Sequence, residues 1–186
     1  VYRLAGLDFS LSLVNIEVSA QFMIHMKVTF ICALILTFPY LVFELWRFVA
    51  PALYEKEKGA VRGAFSFASV LFYLGLAVGY FIILPVMLNF FAGYQVSADV
   101  PNTFSLSSYI SLFTSTIMTF GLVFEFPTIV AILSALGLVT REMMREYRRH
   151  AICAVVIVAA LITPSGDPFS LLVCTVPLYI LYEFSI

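Results

Sequence analysis

The sequence predicts an all-α integral membrane protein. Three observations carry the prediction. Of the 186 residues, 62% are hydrophobic and only 11% charged; the apolar residues run in long charge-free stretches; and the basic residues collect in alternate connections between them. A soluble domain carries about a quarter charged residues and roughly half apolar ones. Nineteen phenylalanines and ten tyrosines, at a mean hydropathy of +1.04, exceed what a core of this size can hide, so they imply a bilayer as solvent. The apolar stretches are continuous rather than alternating, which excludes a membrane β-barrel. The net charge of −1 conceals a strong segregation of charge, and no basic patch suited to nucleic acid is present.

Charges bound each span. Lys27 to Glu44 encloses sixteen uncharged residues and Arg62 to Asp99 thirty-six. Asp99 to Arg141 is interrupted only by Glu125, while Arg149 to Asp167 encloses seventeen and Asp167 to Glu183 fifteen. About twenty residues at 1.5 Å each cross a hydrocarbon core, which yields five helices, near 21–45, 62–91, 106–136, 150–163 and 169–186. The fourth has about fourteen residues between His150 and Pro164, roughly 21 Å against a core of about 30 Å. The fifth is also short, so the last pair must thin the bilayer or sit behind longer neighbours. Pro39, Pro85, Pro127 and Pro177 fall inside four of the five helices. Each frees a carbonyl four residues earlier and bends its helix. Bent long helices beside a short pair suggest a curved, concave wall.

The connections orient the spans. Arg47, Lys56, Lys58 and Arg62 occupy the first connection, and Arg141, Arg145, Arg148 and Arg149 the third, whereas 92–105 and 163–168 hold no lysine or arginine. By the positive-inside rule the first and third connections are cytoplasmic and the other two external. The segment before the first helix is then external as well. Without a signal peptide of its own, and starting at Val1, the chain is expected to be a fragment preceded by one more helix, six spans in all. No internal repeat, linker or matched pair of broken helices divides it, so residues 1–186 read as one domain. Cys32, Cys153 and Cys174 lie far apart in apolar runs and read as small packing residues. With His25 and His150 isolated, no metal or cofactor site is expected.

Two charged features need a reason. In GLVFEFPTIVA, residues 121–131, a glutamate stands mid-span beside a proline. An ionised carboxylate there costs at least about 2.5 kcal/mol, so Glu125 must be neutral, paired, or turned to a polar recess. Pro127 releases the Val123 carbonyl, and Thr119 and Thr128 lie near it on the helix, so the spot is locally polar. Glu125 then either hydrogen-bonds a neighbouring helix or lines a functional recess. The second feature is WRFVAPALYEKEKG, 46–59, where Pro51 is placed to open a short helix and Glu55 and Glu57 sit among lysines. On chemistry alone this is a solvated interfacial turn.

WRFVAPALYEKE resembles the first cytoplasmic loop of the TatC family, the polytopic subunits of twin-arginine protein translocases. FGLVFEFP (120–127) resembles that family's glutamate-bearing fourth helix. TPSGDPFS (163–170), followed by VPLYILYE (176–183), resembles its last external turn and final helix. Three motifs in the family's order cover nearly the whole chain. The resemblance implies a six-helix, concave fold in a bacterial-type inner (cytoplasmic) membrane, with the helices here as its second to sixth and its N-terminal cytoplasmic segment and first helix missing. It implies a receptor for signal peptides bearing two consecutive arginines. Such a receptor nucleates export of folded proteins by the proton-motive force, with the single-helix subunits TatA and, where present, TatB, and with further TatC copies.

Residue by residue, Glu57 corresponds to the loop glutamate implicated in recognising the arginine pair; a carboxylate can take a guanidinium bidentately. Phe48, Pro51 and Tyr54 belong to the same motif and would shape that site. Glu125 matches the intramembrane glutamate. Asp167 matches the external-turn aspartate, in a turn one residue longer than the family's Thr-Pro-x-Asp. Two other classes compete. A proton-coupled small-solute transporter using Glu125 as a relay would want a second buried acid at comparable depth, which the sequence lacks. An intramembrane enzyme would want a GxSxG, an HExxH or a pair of intramembrane aspartates, and none occurs.

Overall fold

Helices form where the charge-free runs require them, because a backbone in lipid must satisfy its own hydrogen bonds. The computed structural model describes residues 2–4, 7–9, 13–52, 55–94, 103–162 and 167–185. In it, α1 spans Ala20–Val49 and is followed by a 3-10 turn, Ala50–Ala52; α2 spans Glu55–Val78 and runs through a π-helical segment, Gly79–Ile83, into α3, Leu84–Gly93. Next come α4, Leu106–Val123, and α5, Phe126–Ala135; then a short α6, Arg141–Glu146, and the pair α7, Arg148–Ile162, and α8, Pro168–Ser185.

Among the described residues, three helices are long and apolar enough to cross a membrane by length and composition: Ala20–Val49, Val61–Gly93 and Leu106–Ser134, the last two counted through their joints. The expected short pair is present as α7, with 15 residues, and α8, with 18. At 1.5 Å per residue α7 is about 22 Å long, short of a full hydrocarbon core of about 30 Å.

The prolines act in different ways. The helix expected over 106–136 is divided: α4 ends at Val123, and α5 begins at Phe126, with Pro127 in its first turn. Pro127 has no N–H for the Val123 carbonyl, and the chain tightens instead, the Glu125 N–H donating to the Leu122 carbonyl at 3.1 Å. Ahead of Pro85 the backbone widens into the π segment, a common response to an interrupted ladder. At Pro39, by contrast, α1 continues. The orphaned acceptor there is the Ile35 carbonyl, and the Tyr73 hydroxyl of α2 donates to it at 3.1 Å.

Helix ends are chemically marked. The Ser105 side chain accepts from the Ser108 N–H and caps α4, and Thr140 does the same for α6 through Met143. Gly137, at φ +71°, closes α5. Its N–H donates to Ser134 and that of Leu138 to Leu133, a paired closure that needs a left-handed residue.

An all-helical chain was expected, and two small β pairs correct this. β1 (Tyr2–Leu4) and β2 (Leu7–Phe9) pair antiparallel; β3 (Leu13–Val14) and β4 (Phe104–Ser105) pair parallel, Leu13 opposite Phe104. The parallel pair joins the segments that lead into α1 and α4, so both helices leave the same end in the same sense. Near that end Lys27 Nζ donates to Ser111 Oγ at 3.1 Å.

The core lies where α2 crosses α4 and where α7 and α8 close on α3 and α4. Phe72, Leu76 and Ile117 form one buried group, to which α1 contributes Phe38, stacked on Phe72 at 3.6 Å. Ile83, Met87, Phe120, Ala159 and Cys174 belong to a second, and Val130, Met144 and Tyr182 to a third. Lipid supplies no hydrophobic drive between helices, so close approach through small residues matters. A Cβ added to Gly75 would overlap the Phe120 carbonyl oxygen and sit 2.8 Å from Phe124 Cβ. α1 stays peripheral, with 6% of its span buried against 39% for each of the other two. The cysteines were expected to pack; Cys174 does, but Cys32 and Cys153 are exposed, on the apolar outside of their helices.

Candidate functional site

Glu125 sits in the joint between α4 and α5. Its φ of −74° and ψ of −11° keep it near-helical, so the interruption is a tightened turn and the side chain stays at span depth. Its carbonyl still accepts from the Ile129 N–H at 3.0 Å. The buried Thr128, one turn on, lies beside the carboxyl group. Its Oε1 is buried and has no hydrogen-bond partner among the described residues. An acceptor left over in a dry place is costly. The joint thus holds a half-buried acid, with Thr128 one turn on.

Thr128 also lines a groove of about 730 Å³ between α2 and α5. Ala64 and Phe67 of α2 face Pro127 and Ser134 of α5 across it, and Thr140, Arg141 and Ser185 close one end. Glu57, the third residue of α2, lies two helical turns before Ala64, about 10 Å along the axis. The groove therefore leads from beside Glu125 toward the end of α2 that carries the loop motif.

In that motif Phe48 is 81% exposed near the end of α1, and Pro51 is exposed within the 3-10 turn Ala50–Ala52, the short helix it was expected to open. Tyr54 and the side chain of Glu57 lie outside the described residues. The backbone places Glu55 and Glu57 in the first turn of α2, where a helix dipole favours acids. Behind the loop, Trp46 packs on Phe65 at 5.6 Å between ring centres, and Glu44 holds Arg47 at 3.1 Å.

Asp167 stands apart from both. Its Oδ2 accepts from the Ser170 N–H at 2.7 Å and its carbonyl from Leu171, the geometry of an N-cap for α8. It lies 18 residues of α8 away from Ser185, about 27 Å, so the structure does not bring it to the groove. The rest of the turn, 163–166, lies outside the described residues.

Sequence reasoning missed the clasp joining α6, α7 and α8. Arg148 donates to Glu183 at 2.5 Å, and the buried Tyr182 hydroxyl donates to the Met144 carbonyl at 2.6 Å. The available signal was a charge of each sign at the facing ends of two short helices.

Comparisons with known proteins bear on the family and the fold. The model of the TatC family, Sec-independent protein translocase protein, matches residues 3–177. The Sec-independent protein translocase protein TatC of Blattabacterium sp. subsp. Periplaneta americana is 39% identical over 177 residues, covering 95% of this chain and 66% of that protein. That of Escherichia coli K12 is 33% identical over 180 residues, covering 94% and 67%, and that of Halothiobacillus neapolitanus is matched over 47% of its length. The chain thus spans about half to two thirds of the length of these curated relatives. The fold superposes on a crystal structure of the twin arginine translocase receptor TatC in DDM with a TM-score of 0.82 and 30% identity, covering 94% of this chain and 77% of that one. By this match over residues 3–177, by these relatives, and with three long apolar helices among its described residues, the chain belongs to the TatC family of membrane proteins of the Tat protein translocation system.

Proposed function

We propose that this chain acts as the signal-peptide receptor and core subunit of a twin-arginine translocase, exporting folded proteins by the proton-motive force. The observation that carries this reading is the family match over 3–177, with WRFVAPALYEKE falling on the turn between α1 and α2. In this reading Glu57 receives the arginine pair, and Phe48, Pro51 and Tyr54 shape its surroundings. Glu125 offers its unpartnered oxygen to a polar group on the membrane helix of a TatA- or TatB-like partner. The protein binds and scaffolds, with no catalytic chemistry of its own. We also read α7 and α8 as membrane-crossing, giving five spans here, with the α1–α2 and α5–α7 connections on the cytoplasmic side.

The test is photo-crosslinking of a twin-arginine signal peptide to the full-length protein in membranes. Crosslinking is expected to need both arginines and to fall tenfold or more in Glu57→Gln, since a hydrogen bond to a charged group contributes roughly 1.5–3 kcal/mol. Crosslinking that ignores the arginines, or survives Glu57→Gln unchanged, would remove the receptor reading. Cysteine labelling checks the sidedness: replacements of Lys58 and Arg145 should react from the cytoplasm, and those of Asp99 and Asp167 from outside.

A further inference from the structure

The loop motif hangs from a helical hairpin, and the hairpin is tied at few points. Phe38 of α1 stacks on Phe72 of α2 at 3.6 Å, and Trp46 of α1 meets Phe65 of α2 at 5.6 Å between ring centres. Eight residues separate the two contacts on α1 and seven on α2, as in antiparallel helices running in step. Among the described residues Trp46–Phe65 is the aromatic contact between these helices nearest the loop. Phe48 follows Trp46 by two residues on α1, and Glu57 precedes Phe65 by eight on α2. The contact therefore joins the two helices that carry the two halves of the motif.

Behind that contact the helices do not close. A cleft of about 260 Å³ runs between them, with Pro39 and Val42 on the α1 side and Ser66 and Ser69 on the α2 side. Trp46 and Phe65, both half-buried, line it as well. α1 has only 6% of its span buried, so it has little packed surface to fix its angle against α2. A large ring reaching across an open cleft does so instead.

The position of that ring matters because of leverage. At 1.5 Å per residue Pro51 lies about 8 Å beyond Trp46 and about 20 Å beyond Phe38. Without Trp46 the nearest aromatic tie is Phe38, and the arm that carries the loop more than doubles. At 20 Å a tilt of about 3° moves the loop about 1 Å, whereas a binding constellation needs its groups held within about 0.5 Å. A carboxylate takes a guanidinium through two parallel hydrogen bonds. A lysine ammonium has no such fork, so a displaced site loses its preference for arginine first.

We propose that Trp46 is a positioning residue for twin-arginine recognition. Packed on Phe65 across the cleft, it fixes the two halves of the loop relative to each other, so that the site distinguishes an arginine pair from a lysine pair. The inference rests on the signal-peptide reading. It differs from the role of an interfacial tryptophan, which anchors a helix end at the headgroups whatever stands beside it.

The test is photo-crosslinking of the full-length protein in membranes to two signal peptides that differ only in carrying Arg-Arg or Lys-Lys. The ratio of the two yields is the readout, because a loss of fold or of membrane level lowers both alike. The unsubstituted protein should favour the arginine peptide about tenfold or more. Trp46→Ala should bring the ratio to within about twofold of unity, a tenfold loss in all being about 1.4 kcal/mol. Trp46→Phe should keep most of the preference, since a ring still meets Phe65. Phe65→Ala should match Trp46→Ala, and the double variant should be no worse than either. If Trp46→Ala does not accumulate, Trp46→Leu, which keeps apolar bulk without the ring, is read the same way. A Trp46→Ala protein that crosslinks less but retains its arginine preference would overturn the proposal and leave a packing residue. Phe65→Ala with the preference intact would overturn it in favour of an interfacial anchor. Equal crosslinking of both peptides by the unsubstituted protein would instead remove the receptor reading, and this proposal with it.

Discussion

Tyr73→Phe removes a single oxygen, and its consequence follows from Pro39. Proline at position 39 cannot donate to the Ile35 carbonyl, and the hydroxyl that takes its place comes from a different helix, at 3.1 Å. The phenylalanine variant keeps the ring and its edge contact with Phe72, 5.8 Å between centres, so the loss is confined to the hydrogen bond. Interhelical hydrogen bonds in membranes contribute about 0.6 kcal/mol on average and up to about 1.7. Here the acceptor has no intrahelical alternative, so the upper half of that range applies, about 1–1.7 kcal/mol. In a Pro39→Ala background the new N–H satisfies Ile35 from within α1, and Tyr73→Phe should then cost close to nothing. Reversible unfolding of the four proteins of this cycle in mixed detergent micelles measures the coupling, expected at about 1 kcal/mol. A Tyr73→Phe penalty of the same size in both backgrounds would refute the claim that Tyr73 substitutes for the missing donor.

Gly75→Ala should destabilise by about 1–3 kcal/mol, the ordinary cost of overpacking, because its Cβ overlaps backbone at Phe120. Gly63→Ala in the same helix has nothing within 4 Å and should be neutral or stabilising by up to about 1 kcal/mol; thermal unfolding in detergent ranks the two, and the reverse order would contradict the α2–α4 contact. Arg148→Gln should cost no more than about 1 kcal/mol, since both partners of the pair with Glu183 are over 40% exposed, and exchanging the two charges should recover most of it in the same assay. Glu125→Leu should reach normal membrane levels yet fail to export a twin-arginine reporter, with Glu125→Gln milder because an amide still donates and accepts. Normal export by Glu125→Leu at normal abundance would reduce the glutamate to a packing residue.

Composition and charge placement were enough to determine that this is a helical membrane protein, where its helices lie, that the last pair is short, and which residues resemble a family's motifs. Those properties are local or additive: a charge-free run of sufficient length has no other stable form in lipid, and a motif is read along the chain. The expected segment 106–136 shows the limit. Pro127 announced a disturbance, but whether the helix would bend, widen or part depended on what lay beside it, and the same residue type produced a divided helix at 127, a π segment before 85 and an unbroken helix at 39. At Pro39 the carbonyl that the proline leaves is met by the hydroxyl of Tyr73, 34 positions away in sequence. The strands of residues 2–14, the clasp of Arg148 with Glu183 and the groove beside Thr128 are of the same kind. For Glu125 the sequence could pose a buried acid and its neighbouring threonine. Only the tertiary structure decided that its Oε1 is buried with no hydrogen-bond partner among the described residues, because hydrogen-bond satisfaction belongs to pairs of surfaces and not to any stretch of one helix.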